Sequence, residues 1–238
     1  MSDIALDEKL DTLDPLRHLR NNDELDLIPA QPPSIHNQTI ELAFPSSDDP
    51  EAYRIKLSVD ASPGCGGIAW PAGEVLSRYI SRKGGLKGKN ILELGSGTGL
   101  VGLVAGLLGA NVWITDQSPL LDIMARNVEL NALQDHVVVK ELNWGEPVPQ
   151  DLLDIDMILA ADCVYFEPAF PLLVQTLKDL AAGRNSDILF CYKKRRKADK
   201  RFFALLKKEF NWSEVLDDPD RENYHREAIS LLRLTRKH

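Results

Sequence analysis

Ile91-Leu92-Glu93-Leu94-Gly95-Ser96-Gly97-Thr98-Gly99-Leu100 is a short apolar run that breaks into alternate glycines and then resumes as an apolar stretch to Leu108. The run suits a buried strand, the glycines a tight turn, and the continuation a helix. Glycines at alternate positions let the backbone take dihedrals that side chains forbid, and they let a ligand lie against main-chain amides. A dinucleotide fingerprint would want its third glycine at position 100, where Leu100 stands, and Glu93 would sit badly beside a pyrophosphate. A carboxylate two residues ahead of Gly95 suits a nucleoside cofactor that carries positive charge instead. The ammonium and sulfonium of S-adenosyl-L-methionine answer that description.

Outward from this stretch the chain alternates. Strands are expected over 90–94, 111–115, 136–140, 155–160 and 187–192, and helices over 71–82, 100–108, 119–131, 168–181 and 198–210. Such alternation implies right-handed crossovers and a doubly wound, mostly parallel α/β sheet covered on both faces. The chain closes with strand patterns over 212–216 and 228–234 joined by a polar segment, 217–227, which predicts an antiparallel C-terminal hairpin. Another hairpin is expected at the front, over 39–44 and 53–59, around Pro45-Ser46-Ser47-Asp48-Asp49-Pro50. Residues 1–36 are polar, end among prolines, and read as a loosely ordered arm, which leaves 37–238 as the folded domain.

In an open parallel sheet ligands bind beyond the carboxyl ends of the strands, where strand order reverses. After the first strand of the alternation, Gly95, Ser96 and Gly97 offer close backbone approach. After the second comes Asp116, a bidentate acceptor for two ribose hydroxyls or, alternatively, a helix cap before Ser118-Pro119. After the third comes Trp144, able to wall in an adenine or simply to fill the core. Trp70, just before the first helix, is placed to close over the cofactor's methionine end. The fourth strand ends in Ala161-Asp162-Cys163-Val164-Tyr165, where Asp162 and Tyr165 form a polar pair at the point where a methyl donor would face its acceptor. A loop cap and a buried aromatic are the plain alternative, although a carboxylate against a buried strand is costly without a partner.

Composition bounds the rest. The chain has 238 residues, 44% hydrophobic and 27% charged, with no apolar run near the ~20 residues a membrane helix needs. Met1 to Lys9 does not read as a secretory leader, so a cytoplasmic protein is expected. Cys65, Cys163 and Cys191 are odd in number, scattered and without histidine at ligand spacing, which predicts reduced thiols and no metal. A net charge of −8 disfavours general nucleic-acid affinity and fits a basic protein partner better. The cationic run Lys193-Lys194-Arg195-Arg196-Lys197 reads as a nuclear signal or an RNA contact or, at this junction of strand and helix, as a solvated loop or a substrate-facing lip.

Together, Glu93 to Leu100, Asn143-Trp144-Gly145 and the Asp-x-x-Tyr step Asp162 to Tyr165 resemble class I methyltransferases of the methyltransferase-like 21 group. The text from Ala161 to Phe170 and from Tyr192 to Phe203 is further similar to the fungal elongation factor methyltransferase 6 branch. The resemblance implies a Rossmann-like seven-stranded sheet and S-adenosyl-L-methionine as methyl donor. It implies cofactor contacts at Trp70, Gly95, Ser96, Gly97, Asp116, Trp144 and Ala161, with Asp162 and Tyr165 at the lysine entrance. The substrate it implies is a lysine of translation elongation factor 1A; a monomer is expected. Methylation of a small amine such as nicotinamide, or a cofactor-binding scaffold without turnover, are the alternatives.

Overall fold

The computed structural model describes residues 36–62, 65–182, 186–195 and 199–237. The arm expected over 1–36 therefore lies, but for its last residue, outside the described residues. The elements that follow are strands β1 (Gln38–Phe44) and β2 (Tyr53–Val59), helix α1 (Pro71–Lys83), β3 (Asn90–Leu94), α2 (Leu100–Leu107), β4 (Asn111–Asp116), α3 (Leu121–Leu130) and β5 (Val137–Glu141). After these come β6 (Met157–Ala161), α4 (Phe170–Leu180), β7 (Asp187–Lys193), α5 (Asp199–Glu209), β8 (Phe210–Glu214), α6 (Arg221–Arg226) and β9 (Ile229–Arg236).

Seven strands make one sheet in the order β5-β4-β3-β6-β7-β9-β8. Pairing is parallel from β5 through β7, and β9 runs antiparallel to both β7 and β8. This is the doubly wound, mostly parallel sheet with an antiparallel end that the sequence predicts. Two details differ. The last hairpin begins at Phe210, directly after α5, and the polar segment between its strands contains a short helix, α6.

Side-chain alternation builds a core on each face of the sheet. Ile91, Leu159 and Leu189 turn toward α1, α2 and α3, whereas Leu92, Ile158 and Phe190 turn toward α4 and α5. On the second face Phe190 stacks on Phe202 of α5 with centroids 5.4 Å apart, and Phe170 of α4 meets Phe202 edge-on at 5.5 Å. Each such pair contributes roughly 0.5–1.5 kcal/mol beyond its buried area and fixes both helices on β7.

β1 and β2 form a separate antiparallel hairpin whose inner residues Ile55, Leu57 and Val59 join the first core. Two asparagines one turn apart, Asn127 on α3 and Asn131 at its end, hold it. Asn127 Oδ1 accepts from Ser58 N at 2.6 Å while its Nδ2 donates to Ser58 O at 3.1 Å. Asn131 repeats the pattern on Lys56, at 2.9 Å and 2.7 Å. Asn127 Nδ2 also donates to Thr98 O at 2.9 Å, which ties the hairpin to the glycine turn.

Candidate active site

Strand order reverses between β3 and β6, so their carboxyl ends diverge into a crevice. A cavity of about 670 Å³ lies there, within the ~300–1,000 Å³ usual for small-molecule sites. Trp70, Glu93, Gly95, Ser96, Gly97, Asp116, Trp144, Ala161, Asp162 and Tyr165 all line it. Every site residue expected from the sequence is thus brought to one place.

The turn after β3 forms the floor. Gly95 and Gly97 have φ of 60° and 56°. A Cβ on Gly97 would lie 2.6 Å from the Gly66 carbonyl oxygen, and one on Gly95 would lie 2.9 Å from the Trp144 ring and 3.1 Å from Cys163 Sγ. Conformation and space both require glycine at these positions. Ser96 spends its side chain on the fold: its Oγ accepts from Thr115 N at 2.9 Å and donates to Glu93 O at 3.2 Å. What Ser96 offers a ligand is therefore its position more than its hydroxyl.

Glu93 lines the cavity and is also tied into the fold. It is 2% exposed, and its Oε2 accepts from Gly102 N at 2.9 Å in the first turn of α2. That helix has no side-chain cap of its own, so Glu93 serves as one from the strand below. Burial pushes its carboxyl up to about 8.

Asp116 ends β4 with Oδ2 accepting from Gly97 N at 2.8 Å and Oδ1 from Gln117 N at 2.7 Å. Burial raises its carboxyl above the usual range, against the pull of these two amides. Trp144 packs its ring over Gly95, and Gly145 N donates to Thr176 Oγ1 of α4 at 2.8 Å, so the wall is anchored from behind. Trp70, also in the lining, donates from Nε1 to Cys65 O at 2.7 Å.

The acceptor end is built around Asp162, which holds a left-handed φ of 57°. Asp is among the few side chains that tolerate this region. Its carboxylate does not face open space. Arg195 Nη1 donates to Oδ1 at 2.8 Å and Nη2 to Oδ2 at 2.9 Å, and Lys193 N donates to Oδ1 at 3.1 Å. The Arg195 guanidinium lies 5.3 Å from the Trp70 ring centroid. Three residues on from Asp162, the Tyr165 hydroxyl hydrogen-bonds the Cys65 thiol, and burial raises both groups above their ordinary ranges.

Sequence reasoning misses three of these contributors. Arg195 is hidden in a charge run that reads only as a whole, as a solvated loop or a substrate-facing lip; of that run Lys194 is exposed, Lys193 and the Arg195 side chain are buried, and residues 196–197 lie outside the described ones. Cys65 reads only as a free thiol, although the glycines that follow it and Trp70 beyond mark a tight approach to the site. Cys163 stands at a variable interior position of its motif, yet it backs Gly95 and donates to Leu94 O at 3.3 Å.

The arrangement fits an adenosyl cofactor: a cavity of the right size, main-chain amides at a glycine turn, a carboxylate at the next strand end, and two indoles in the lining. A profile of the lysine methyltransferase family matches residues 49–209. Protein-lysine N-methyltransferase EFM6 of Saccharomyces cerevisiae is 45% identical over 202 residues, covering 73% of this chain and 82% of the yeast protein. Protein N-lysine methyltransferase METTL21A of Danio rerio is 43% identical over 185 residues, 74% of this chain and 84% of that protein. EEF1A lysine methyltransferase 3 of Xenopus tropicalis is 32% identical over 188 residues, 77% of this chain and 80% of its own length. Among solved structures, the T. thermophilus 16S rRNA methyltransferase RsmC, in complex with AdoMet and guanosine, aligns with a TM-score of 0.55 at 16% identity. That alignment spans 88% of this chain and 53% of RsmC, and it speaks for the fold. By the match across residues 49–209 and by relatives of this identity, the chain belongs to the lysine methyltransferase family and is a protein-lysine N-methyltransferase whose methyl donor is S-adenosyl-L-methionine.

Proposed function

We propose that this enzyme methylates the ε-amine of a lysine in translation elongation factor 1A. The observation that carries the substrate reading is the 32% identity, over 77% of the chain, to a relative named as an EEF1A lysine methyltransferase. Within the site, Gly95, Ser96 and Gly97 would hold the cofactor through their main chain, Asp116 its ribose, Trp144 its adenine and Trp70 its methionine end, with Ala161 beneath. When bound, the cofactor would supply a methyl group on a sulfonium to the neutral amine, leaving a thioether, and the product would leave as the methylated ammonium.

The protein's own task is to present that amine neutral and in line. A free lysine has a pKa of about 10.4 and no lone pair when protonated. Both oxygens of Asp162 are already engaged by Arg195, so this carboxylate orients the entrance and does not take the proton. Burial keeps the Tyr165 hydroxyl protonated, so it directs the amine by hydrogen bonding and is no base. The proton therefore leaves to water as the side chain enters the cavity, whose largely apolar lining would disfavour the ammonium. Alignment accounts for most of the acceleration.

Incubating the purified protein and labelled cofactor with recombinant elongation factor 1A tests the substrate. Label on one lysine of that protein is expected. Label absent from it but present on another protein of a cell lysate would overturn the reading.

A further inference from the structure

We propose that Arg195 is a positioning residue for methyl transfer: it neutralises Asp162, fixes the acceptor loop, and braces Trp70 at the cofactor side. The proposal rests on the reading of Asp162 and Tyr165 as the lysine entrance.

Three observations carry it. First, the pair is enclosed and well formed. The Arg195 and Asp162 side chains are 4% and 5% exposed, and the guanidinium takes both carboxylate oxygens in parallel. A bidentate pair fixes direction as well as distance. Second, the pair bridges separate parts of the site. Asp162 follows β6, Arg195 follows β7, and Trp70 stands before α1, under the guanidinium at 5.3 Å. Arg195 is itself held, since its N–H donates to Asp199 Oδ2 at 2.9 Å at the start of α5. The same helix reaches the acceptor loop again through the Arg201–Glu167 ion pair. Third, Asp162 keeps a left-handed backbone, which persists only where its surroundings hold it.

The charge has its own consequence. A lone carboxylate beside the methyl donor would capture a lysine as its ammonium, tightly and unproductively. With Arg195 in place that attraction is cancelled, and the neutral amine is the form that gains from entering.

The test compares Arg195→Lys and Arg195→Gln with the wild type, on whichever protein the wild type labels, so that failure of the elongation-factor reading leaves it intact. Methyl transfer gives kcat and KM, calorimetry gives cofactor affinity, and thermal melting reports the fold. Arg195→Lys keeps the charge and loses the fork. It is expected to lower kcat about tenfold, with KM and cofactor affinity within about threefold of wild type. Arg195→Gln also frees the carboxylate and is expected to lower kcat further while KM falls. Falling KM with falling kcat is a signature that a merely structural loss does not produce. If Arg195→Gln fails to fold, Arg195→Lys carries the test alone. Unchanged kcat in Arg195→Lys, or a raised KM with unchanged kcat, would overturn the proposal; so would a loss of turnover that only parallels a loss of melting temperature.

Discussion

Replacing Glu93 by Gln should flatten the enzyme's stability against pH. In the fold this carboxyl is pushed up to about 8, whereas a solvated glutamate titrates near about 4.3. Between those values the folded chain keeps a proton that the unfolded chain has released. Stability from this group is therefore complete below the unfolded value and is lost as pH rises through the folded one. From about pH 6 to about pH 8 the loss is about 2 kcal/mol. For a chain of this length that corresponds to roughly 4–8 °C in Tm. The amide of the Glu93→Gln variant retains an oxygen for the Gly102 N–H and has no proton to lose. Melting curves without cofactor, at matched ionic strength, should show the variant gaining on the wild type by that margin across the interval. Parallel decline of the two proteins across the same interval would refute the reasoning. Comparing two proteins removes the histidines from the result, because both proteins carry them.

Other perturbations have equally direct readouts. Gly97→Ala places a methyl 2.6 Å from the Gly66 carbonyl oxygen at a φ of 56°, and calorimetry should find cofactor affinity down by about tenfold or more. Asp116→Asn loses the charged acceptor and turns its amide donor toward one of the two main-chain N–H groups that the carboxylate accepts, so cofactor affinity should fall roughly 10–100-fold with a melting temperature a few degrees lower; unchanged affinity would remove Asp116 from the ribose role. Asn127→Ala strips three buried hydrogen bonds and should cost about 2–4 kcal/mol in urea unfolding, whereas Asn131→Ala, at a more exposed pair, should cost about 1 kcal/mol.

The strand, turn and helix around Gly95 were legible because local chemistry fixes them: an apolar run, glycines that alone fit the turn, and a short helix apolar on all sides. The site residues at strand ends were legible for a related reason, since a parallel sheet gathers those ends at one rim. Helix α6 was not legible. Six residues carry too little periodicity, and only Tyr224 is buried among them. Arg195 was hidden because a cationic run normally faces water, and what turns this one inward is a carboxylate 33 residues earlier in the chain. For Glu93 the position was legible and the partner was not. Its spacing from Gly95 says that it lies beside the turn, yet only the packing of α2 shows that a helix amide reaches it first.

The asparagines at 127 and 131 have a bearing on how this chain keeps to itself. A two-stranded hairpin offers two rows of free main-chain groups, and such rows invite pairing with another copy. On β2 the outward groups of Lys56 and Ser58 are already met by side-chain amides, which act in place of a third strand. A helix thereby closes the inner edge of a sheet without contributing any backbone to it. Losing these amides would do more than loosen the hairpin, because it would uncover a template on which a second molecule could begin to aggregate.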